Sequence, residues 1–407
     1  MSKPPNTERP PVVVAGAYQT GVVLMRNLAR RNVKAFCIDC NADQPGFKTV
    51  YGKGRLCPNP DTHPAEWERF MIELAQSIGQ KPVLIPSADQ FVTAISDHAT
   101  ALAPYFIFRL SVSLQALLAT KKRQYEIAES NGLPVPKTRY VKSLEEVRRF
   151  ASEAQFPCLI KPTHFREWEL LAAGHPLLNQ KIALAGSKDE LEAQYRLVES
   201  VTPEVVVQEI IEGPDDAKFV YLSCYGRGGT RLGHCMVREI RTTPIYFGSA
   251  SVVEPISDPE TEERCNNFFR TIGYEGLCEL ELKRDSRDNR VKLIEANPRY
   301  SITADAALYS GVDLALLHYL DLIGEPAGPA GWNGHYFHHI VLRRDVKCFR
   351  DYLSANLTTW GGILATYKSP VFFDFDLRDW RVTADTCIFL LKALLYPTYR
   401  RFFPKRI

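Results

Sequence analysis

The chain has 407 residues, of which 45% are hydrophobic and 24% are charged, and its formal net charge is +3. This length exceeds what one hydrophobic core normally serves, so two or three domains are expected. The near-neutral charge gives no electrostatic reason to expect nucleic acid as a partner. The ten cysteines lack the spacing of a disulfide framework, which favours a reducing, cytoplasmic location.

Neither end of the chain contains a predicted membrane span. The opening letters, MSKPPNTERPP, are polar and proline-rich, so no signal peptide is expected there. The apolar run from Cys387 to Leu395 is too short to cross a bilayer, which needs about 20 apolar residues. From Lys392 onward, five basic residues and no acidic ones are interleaved with apolar letters. This pattern is typical of a membrane-surface helix, or of a terminal helix docked by its apolar side, and docking is preferred.

Strands alternate with helical segments over the first hundred residues. Apolar runs predict strands at Val12–Ala15, Val33–Asp39 and Pro82–Ile85. Such alternation indicates a doubly wound parallel sheet. The turn GAYQTG after the first strand, with Asp39 some way downstream, hints at a dinucleotide-binding fold. Because the turn lacks the central glycine of that fingerprint, it is weak evidence for any nucleotide.

The rest of the chain is predicted to contain further strands and a hairpin. The letters DSRDN between two apolar strands are a hairpin signal. The Gly/Pro/Ala-rich segment that follows Gly324 predicts a domain boundary. The predicted strands are Thr138–Val141, Cys158–Lys161, Val205–Ile211, Cys278–Lys283 and Val291–Glu295.

The segment KLIEANPR of the hairpin carries the residues with the clearest chemistry. Glu295 and Asn297 are two apart, so in a strand they face the same side, and Arg299 follows at the strand end. Glu281 lies on the preceding strand and could add a second carboxylate. Carboxylate and amide oxygens suit Mg²⁺, and arginine suits phosphoryl oxygens. A salt-bridged surface hairpin is the alternative, which the lysines described next make less favourable.

These motifs resemble the ATP-grasp superfamily, whose metal hairpin ends in E-x-N-P-R after an acidic residue on the preceding strand. Lys121 opens a helix ahead of the segment GLPVP, as the phosphate-contacting lysine of that family does. Lys161 in PCLIKP matches its second nucleotide-binding lysine. The strand VVQEIIEG matches the strand that frames adenine. The resemblance assigns adenine to Gln208, the Glu209 backbone and Ile211, and the ribose to Asp216.

The resemblance implies an α/β fold: a doubly wound parallel-sheet pre-domain, an ATP-grasp fold of two α+β subdomains sandwiching ATP, and a C-terminal extension. The expected boundaries are 1–118, 119–204, 205–325 and 326–407. Within the superfamily the chain is most similar to D-aspartate ligase-like and other carboxylate–amine ligases, on the letters PSAD, KPTHFREW and LELKRDSRDNRVKLIEANPR.

That likeness implies an ADP-forming ligase that needs ATP and one or two Mg²⁺ ions, for which Mn²⁺ could substitute. It would activate a small-molecule carboxylate as an acyl phosphate and transfer it to an amine such as an amino acid. A cytoplasmic homo-oligomer is expected. The rival interpretations are a phosphotransferase or carboxylase on the same fold, a non-catalytic nucleotide-binding module, and an NAD-linked oxidoreductase that would depend on the weak glycine turn alone.

Three groups of residues have open roles. The segment PTHFREW replaces the usual glycine-rich flap, so His164 and Arg166 are candidate γ-phosphate contacts, while Phe165 and Trp168 could instead anchor a packed loop. Arg238 and Arg241 are candidates for a phosphate or substrate carboxylate, or are strand-edge arginines. The histidines of HYFHHIVL, at 335, 338 and 339, are interpreted as packing rather than as a zinc site.

Overall fold

The computed structural model of the protein describes residues 9–109, 121–163, 168, 171, 174–178, 180, 182–200 and 202–402, with backbone alone at 121 and 394–402. The chain divides into two compact units. Unit 1 comprises 1–132, 214–282 and 295–407, and unit 2 comprises 133–213 and 283–294. The division into four domains made from the sequence stays a prediction.

Unit 1 begins with a four-stranded parallel sheet whose strand order is 3-2-1-4. Val12 and Val14 pack in one core, and Val13 and Ala15 in another on the opposite face, because successive strand residues point to opposite sides. Helices therefore cover both faces, as a doubly wound sheet requires. The elements are β1 (Val12–Ala15), α1 (Gln19–Ala29), β2 (Ala35–Asp39), β3 (Gly52–Leu56), α2 (Pro64–Ile78), β4 (Val83–Pro86), α3 (Asp89–Asp97), α4 (Ala99–Leu102) and α5 (Lys121–Ser130).

Unit 2 is built on a second four-stranded sheet, with helices packed on it. Its elements are β5 (Thr138–Val141), α6 (Leu144–Glu153), β6 (Cys158–Pro162), β7 (Ala183–Ala185), α7 (Lys188–Arg196) and β8 (Val205–Glu209). The order is β5-β8-β6-β7, and the pairs are antiparallel. Both helices begin at a serine cap, Ser143 and Ser187, whose side chain accepts a backbone N–H of the first turn.

The remaining elements form a seven-stranded sheet that belongs to unit 1 except for residues 283–294, which are part of unit 2. Its elements are β9 (Lys218–Tyr225), β10 (Arg231–Thr243), β11 (Ser249–Ile256), α8 (Pro259–Thr271), β12 (Gly276–Arg284), β13 (Val291–Asn297), α9 (Ala304–Tyr309), α10 (Leu314–Ile323), β14 (His338–Ile340), α11 (Leu342–Ser354), α12 (Trp360–Thr366), β15 (Pro370–Phe372) and α13 (Trp380–Phe402). The strand order is β13-β12-β9-β10-β11-β14-β15.

The predicted C-terminal extension is part of this sheet. Strand β14 pairs antiparallel with β11, and β15 pairs parallel with β14. Across the described part of the chain, no helix combines the length and the apolar character that crossing a bilayer requires.

Candidate active site

The neighbouring strands β12 and β13 carry carboxylates and an amide at alternate positions. Glu279 and Glu281 are two apart on β12, and Glu295 and Asn297 are two apart on β13. Residues two apart on a strand face the same side of the sheet. Asn297 Nδ2 donates hydrogen bonds to Glu279 Oε1 at 3.0 Å and to Glu281 Oε1 at 3.2 Å. The structure therefore brings Glu281 and Asn297 together and adds Glu279 to them.

Sequence reasoning missed Glu279. Its side chain is buried, and Ser301 Oγ donates to its Oε2 at 2.5 Å. Burial raises the pKa of Glu279, against the lowering effects of the Ser301 hydrogen bond and of the Arg299 charge. Burying a carboxylate is costly unless charge and hydrogen bonds compensate it. The available signal was the Glu-Leu-Glu repeat at 279–281, which gives both carboxylates the same strand face.

Arg299 lies just after β13, and its guanidinium forms a bidentate ion pair with Asp89 at the start of α3. Arg299 Nε donates to Asp89 Oδ1 at 2.6 Å, and Nη2 donates to Asp89 Oδ2 at 3.2 Å and to Asn297 Oδ1 at 3.3 Å. Burial lowers the pKa of Arg299, but Asp89, Glu279 and Glu295 outweigh that effect and raise it. A permanently charged guanidinium is thus held beside the acidic residues of the two strands.

A buried lysine and two buried acids lie at the β9–β10 part of the same sheet. Lys218 Nζ is 2.9 Å from Asp215 Oδ1 and 3.9 Å from Glu239 Oε2. Among the described residues, Glu239 Oε2 has no hydrogen-bond partner. Burial raises the pKa of Glu239 to about 7, with Lys218 acting to lower it and Glu279 to raise it further. Glu239 is therefore a carboxyl that titrates near neutral pH.

Replacing Glu239 with glutamine is expected to stabilise the protein more at pH 8 than at pH 5. A buried carboxyl with a raised pKa does not destabilise the folded state below its unfolded pKa of 4.5, because it is then protonated in both states. Above its folded pKa of about 7 it is ionised in both states, and the full cost of burying the charge lowers the free energy of unfolding. The gain in the free energy of unfolding caused by Glu239→Gln should therefore be larger at pH 8 than at pH 5, by at most roughly 3 kcal/mol. Urea unfolding of both proteins at the two pH values measures it, with the exposed Glu260→Gln as control. A stability difference that does not change with pH would contradict the assignment.

The predicted nucleotide residues of unit 2 include a connected polar set. Lys161 Nζ donates to Gln208 Oε1 at 3.1 Å, and Gln208 Nε2 donates to Thr138 Oγ1 at 2.7 Å. Gln208 and Ile211 are buried. The Glu209 carboxylate accepts the Gln155 N–H at 2.9 Å, so this side chain is used locally. The strands β6 and β8 thereby fix the lysine and the amide that the resemblance assigned to ATP.

Several predicted residues lie outside these contacts. Asp216 is exposed in the short helical turn Asp215–Ala217 of unit 1. Lys121 begins α5, but its side chain lies outside the described residues. His164, Phe165 and Arg166 also lie outside them. Trp168 is buried in the core of unit 2, which agrees with its interpretation as an anchor.

Arg241 forms a buried ion pair with Asp345. Its Nε and Nη2 each lie 3.0 Å from an oxygen of Asp345, and Nη2 also donates to Thr366 Oγ1. Its side chain is 3% exposed. These contacts use Nε and Nη2 of the guanidinium and indicate a structural role for Arg241. Arg238 is 41% exposed and pairs with Glu254, so part of its guanidinium faces solvent.

Asp39 holds the N-terminal glycine turn. Its Oδ2 accepts the Ala17 N–H at 2.8 Å. A Cβ at Gly21 would lie 2.0 Å from Gly16 O, so the second glycine of the turn serves close backbone approach. Both features that hinted at a dinucleotide therefore have local structural roles.

The two histidines of β14 lie beside acidic side chains of unit 1. His339 Nε2 lies 3.1 Å from Asp305 Oδ2, and His338 Nε2 lies 3.5 Å from Glu254 Oε2. Within the described ranges, no three or more His, Cys, Asp or Glu side chains are grouped so that they could hold a metal ion.

Comparison with known proteins finds several curated relatives of low sequence identity. The chain is 27% identical over 248 residues to D-aspartate ligase of Enterococcus faecium, a match that covers 58% of this chain and 57% of that ligase. The chain thus spans little more than half the length of that relative. No family model matches the chain.

Solved structures support the fold over most of the chain. One similar structure is the biotin carboxylase domain of Hydrogenobacter thermophilus 2-oxoglutarate carboxylase, solved in complex with MgADP, ADP and bicarbonate. It superposes on this chain with a TM-score of 0.61 at 18% sequence identity, and the match covers 80% of this chain and 73% of that one. The L-amino acid ligase of Bacillus licheniformis gives a TM-score of 0.57 at 14% identity, covering 78% and 75%. The expected resemblance and the ATP-grasp fold are confirmed.

Proposed function

We propose that this chain, which has the ATP-grasp fold, is an ATP- and Mg²⁺-dependent ligase that joins a carboxylate to an amine and releases ADP and phosphate. The observation that carries the proposal is the connected set Glu279, Glu281 and Asn297 on the neighbouring strands β12 and β13, with Arg299 just after β13. Formation of a C–N bond is supported by the names of two similar proteins, D-aspartate ligase and L-amino acid ligase.

The donor chemistry of this set fits Mg²⁺ bound together with a nucleotide. Mg²⁺ prefers oxygen ligands and is usually held by one or two carboxylates plus substrate phosphates. Glu281, Glu295 and Asn297 offer such oxygens. A metal ion held there would neutralise charge on the phosphoryl oxygens.

The reaction needs positioned charge more than a protein nucleophile. A carboxylate is a poor acyl donor, because its charge repels nucleophiles and oxide cannot leave. Its oxygen would attack the γ-phosphorus as the bond to ADP breaks, giving an acyl phosphate. The amine would then form the C–N bond as phosphate departs, and would lose its proton to solvent. Arg299, oriented by Asp89, is suited to bind the transferring phosphoryl group.

The remaining roles extend the predicted assignments. Lys161 and Gln208 are proposed to bind the phosphates and the adenine, respectively, with the Glu209 backbone and Ile211 beside the base. Lys121 would contact the phosphates, Asp216 the ribose and His164 the γ-phosphate. Arg238 is retained as a candidate for the substrate carboxylate, because its guanidinium is partly exposed.

The test is a screen for ADP release that depends on paired substrates. Purified protein is supplied with ATP, Mg²⁺ and pools of amino acids, and ADP is measured by a coupled assay. Release of ADP and phosphate that requires both a carboxylate and an amine is expected, and chelation of the metal by EDTA should abolish it. Release of AMP and pyrophosphate would contradict the proposal.

The same screen separates the rival activities. A phosphorylated alcohol as product would identify a phosphotransferase, and ADP release that needs bicarbonate alone would identify a carboxylase. Nucleotide binding without turnover in any pool would favour a binding module. Each of these results would replace the ligase proposal.

A further inference from the structure

The C-terminal helix α13 packs on the rest of unit 1 through a face that includes polar side chains. Asp379, just before the helix, accepts the Thr49 hydroxyl at 2.5 Å. Thr383 and Thr386 are buried, and Arg343 Nε donates to Thr386 Oγ1 at 3.1 Å. An amphipathic helix that docks on a globular core normally buries its apolar face. The docked face of α13 includes the half-buried Val382 and Leu390 beside the buried threonines, yet most of its large apolar residues lie elsewhere on the helix.

The outward face of α13 is an apolar stripe. It consists of Trp380, Ala384, Cys387, Ile388 and Leu391, whose spacing is that of one side of a helix, and all five are exposed. Trp380 is 62% exposed, Ile388 52% and Leu391 57%. Large apolar side chains aligned on one exposed face indicate a surface that a membrane or another molecule covers.

The stripe leads into a strongly basic sequence. No acidic residue follows Asp385, whereas five basic residues do, namely Lys392, Arg400, Arg401, Lys405 and Arg406. These five positive charges exceed the net charge of +3 for the whole chain, so the remaining residues are net negative. In the sequence the helical spacing of the stripe continues with Leu395, Tyr399 and Phe402.

We propose that α13 and the basic tail bind the surface of an anionic lipid membrane, with the apolar stripe entering the headgroup region. Interfacial helices combine an apolar face, aromatic residues and Lys/Arg in this way. Anionic headgroups attract a cluster of basic residues adjoining such a helix. Trp380, with the Arg381 guanidinium 5.3 Å from its ring centroid, has the amphipathic character typical of residues at that depth.

The charge distribution favours lipid over a second copy of the chain. A two-fold interface through α13 would place the same surface of each copy against the other. If the two copies of α13 ran parallel, the five positive charges of one tail would lie near those of its partner, with no acidic residue after Asp385 to neutralise them. An anionic bilayer offers both an apolar interior for the stripe and opposite charge for the tail.

Sedimentation of the full chain with lipid vesicles tests this proposal. Vesicles of phosphatidylcholine alone and vesicles containing phosphatidylserine are compared at low and high salt. Binding is expected to the anionic vesicles and to weaken with salt. The exposed double variant Ile388→Glu/Leu391→Glu should lose at least about tenfold in partitioning. Arg400→Gln/Arg401→Gln should weaken binding by about fivefold for each residue.

A matched control uses exposed leucines elsewhere. Leu56 and Leu184 are 57% and 47% exposed, so Leu56→Glu/Leu184→Glu introduces the same charge on other surfaces. This variant should bind vesicles like the unmodified protein, and thermal unfolding verifies that all variants fold. Failure of the unmodified protein to sediment with anionic vesicles would overturn the proposal. So would a dimer that Ile388→Glu/Leu391→Glu dissociates, since a second copy would then cover the stripe.

Discussion

Replacing Glu295 with alanine is expected to lower kcat for ATP turnover by a factor on the order of 10²–10³, by analogy with the loss of one transition-state charge contact. Glu295 is half-buried on β13, two residues before Asn297, and its charge acts on Arg299. Without it, the proposed magnesium site loses a carboxylate oxygen, and less of the charge on the phosphates is neutralised. Steady-state ADP release at saturating ATP and substrates measures the change.

The control for this experiment is Glu260→Ala. Glu260 lies in the first turn of α8, where it is 77% exposed and pairs with Arg264, so its loss should leave kcat nearly unchanged. Thermal unfolding of both variants verifies that they fold. If Glu295→Ala turned over ATP at the rate of the unmodified protein, the assignment of the metal site to β12 and β13 would be wrong.

Replacing Arg241 with methionine is expected to destabilise the protein by about 3–5 kcal/mol while leaving kcat per folded molecule nearly unchanged. Asp345 would remain fully buried with no cation, although Tyr367 and Ser251 still donate hydrogen bonds to it. Removing that charge as well, in Arg241→Met/Asp345→Asn, should recover part of the lost stability. Denaturant unfolding gives the free energies.

Two comparisons make the Arg241 result decisive. Arg264→Met removes a surface arginine that is 52% exposed, and it should cost no more than about 1 kcal/mol. Arg241→Met is assayed for ADP release at a temperature where it is folded. A large fall in kcat with unchanged stability would restore the catalytic role that the sequence suggested for Arg241.

Local patterns in the sequence predicted the regular parts of the fold. The strand Thr138–Val141 has the predicted bounds, and the first parallel sheet follows from apolar runs that alternate with helices. The long antiparallel strands β9 to β11 were not delineated. Strand β9 is buried along its whole length, so its sequence lacks the alternation of apolar and polar residues that marks a half-exposed strand. Strands β14 and β15 have three residues each and depend on pairing with distant segments.

The candidate site was predictable where residues are close in sequence. Asn297 and Arg299 belong to one short segment, and their contact with each other is local. The pairing of Arg299 with Asp89 joins residues 210 positions apart, so no spacing rule could indicate it. The ion pair of Arg241 with Asp345 is distant in the same way, and it gives a structural role to an arginine that the sequence suggested for phosphate.

The most direct test of the acyl-phosphate reaction follows an oxygen atom. The carboxylate substrate that supports ADP release is labelled with ¹⁸O in its carboxyl group, and the released phosphate is analysed by mass spectrometry. An acyl phosphate leaves one carboxyl oxygen on phosphorus, so one ¹⁸O atom should appear in each phosphate formed with product. Phosphate without the label, formed at the same rate as the C–N product, would contradict the proposed reaction.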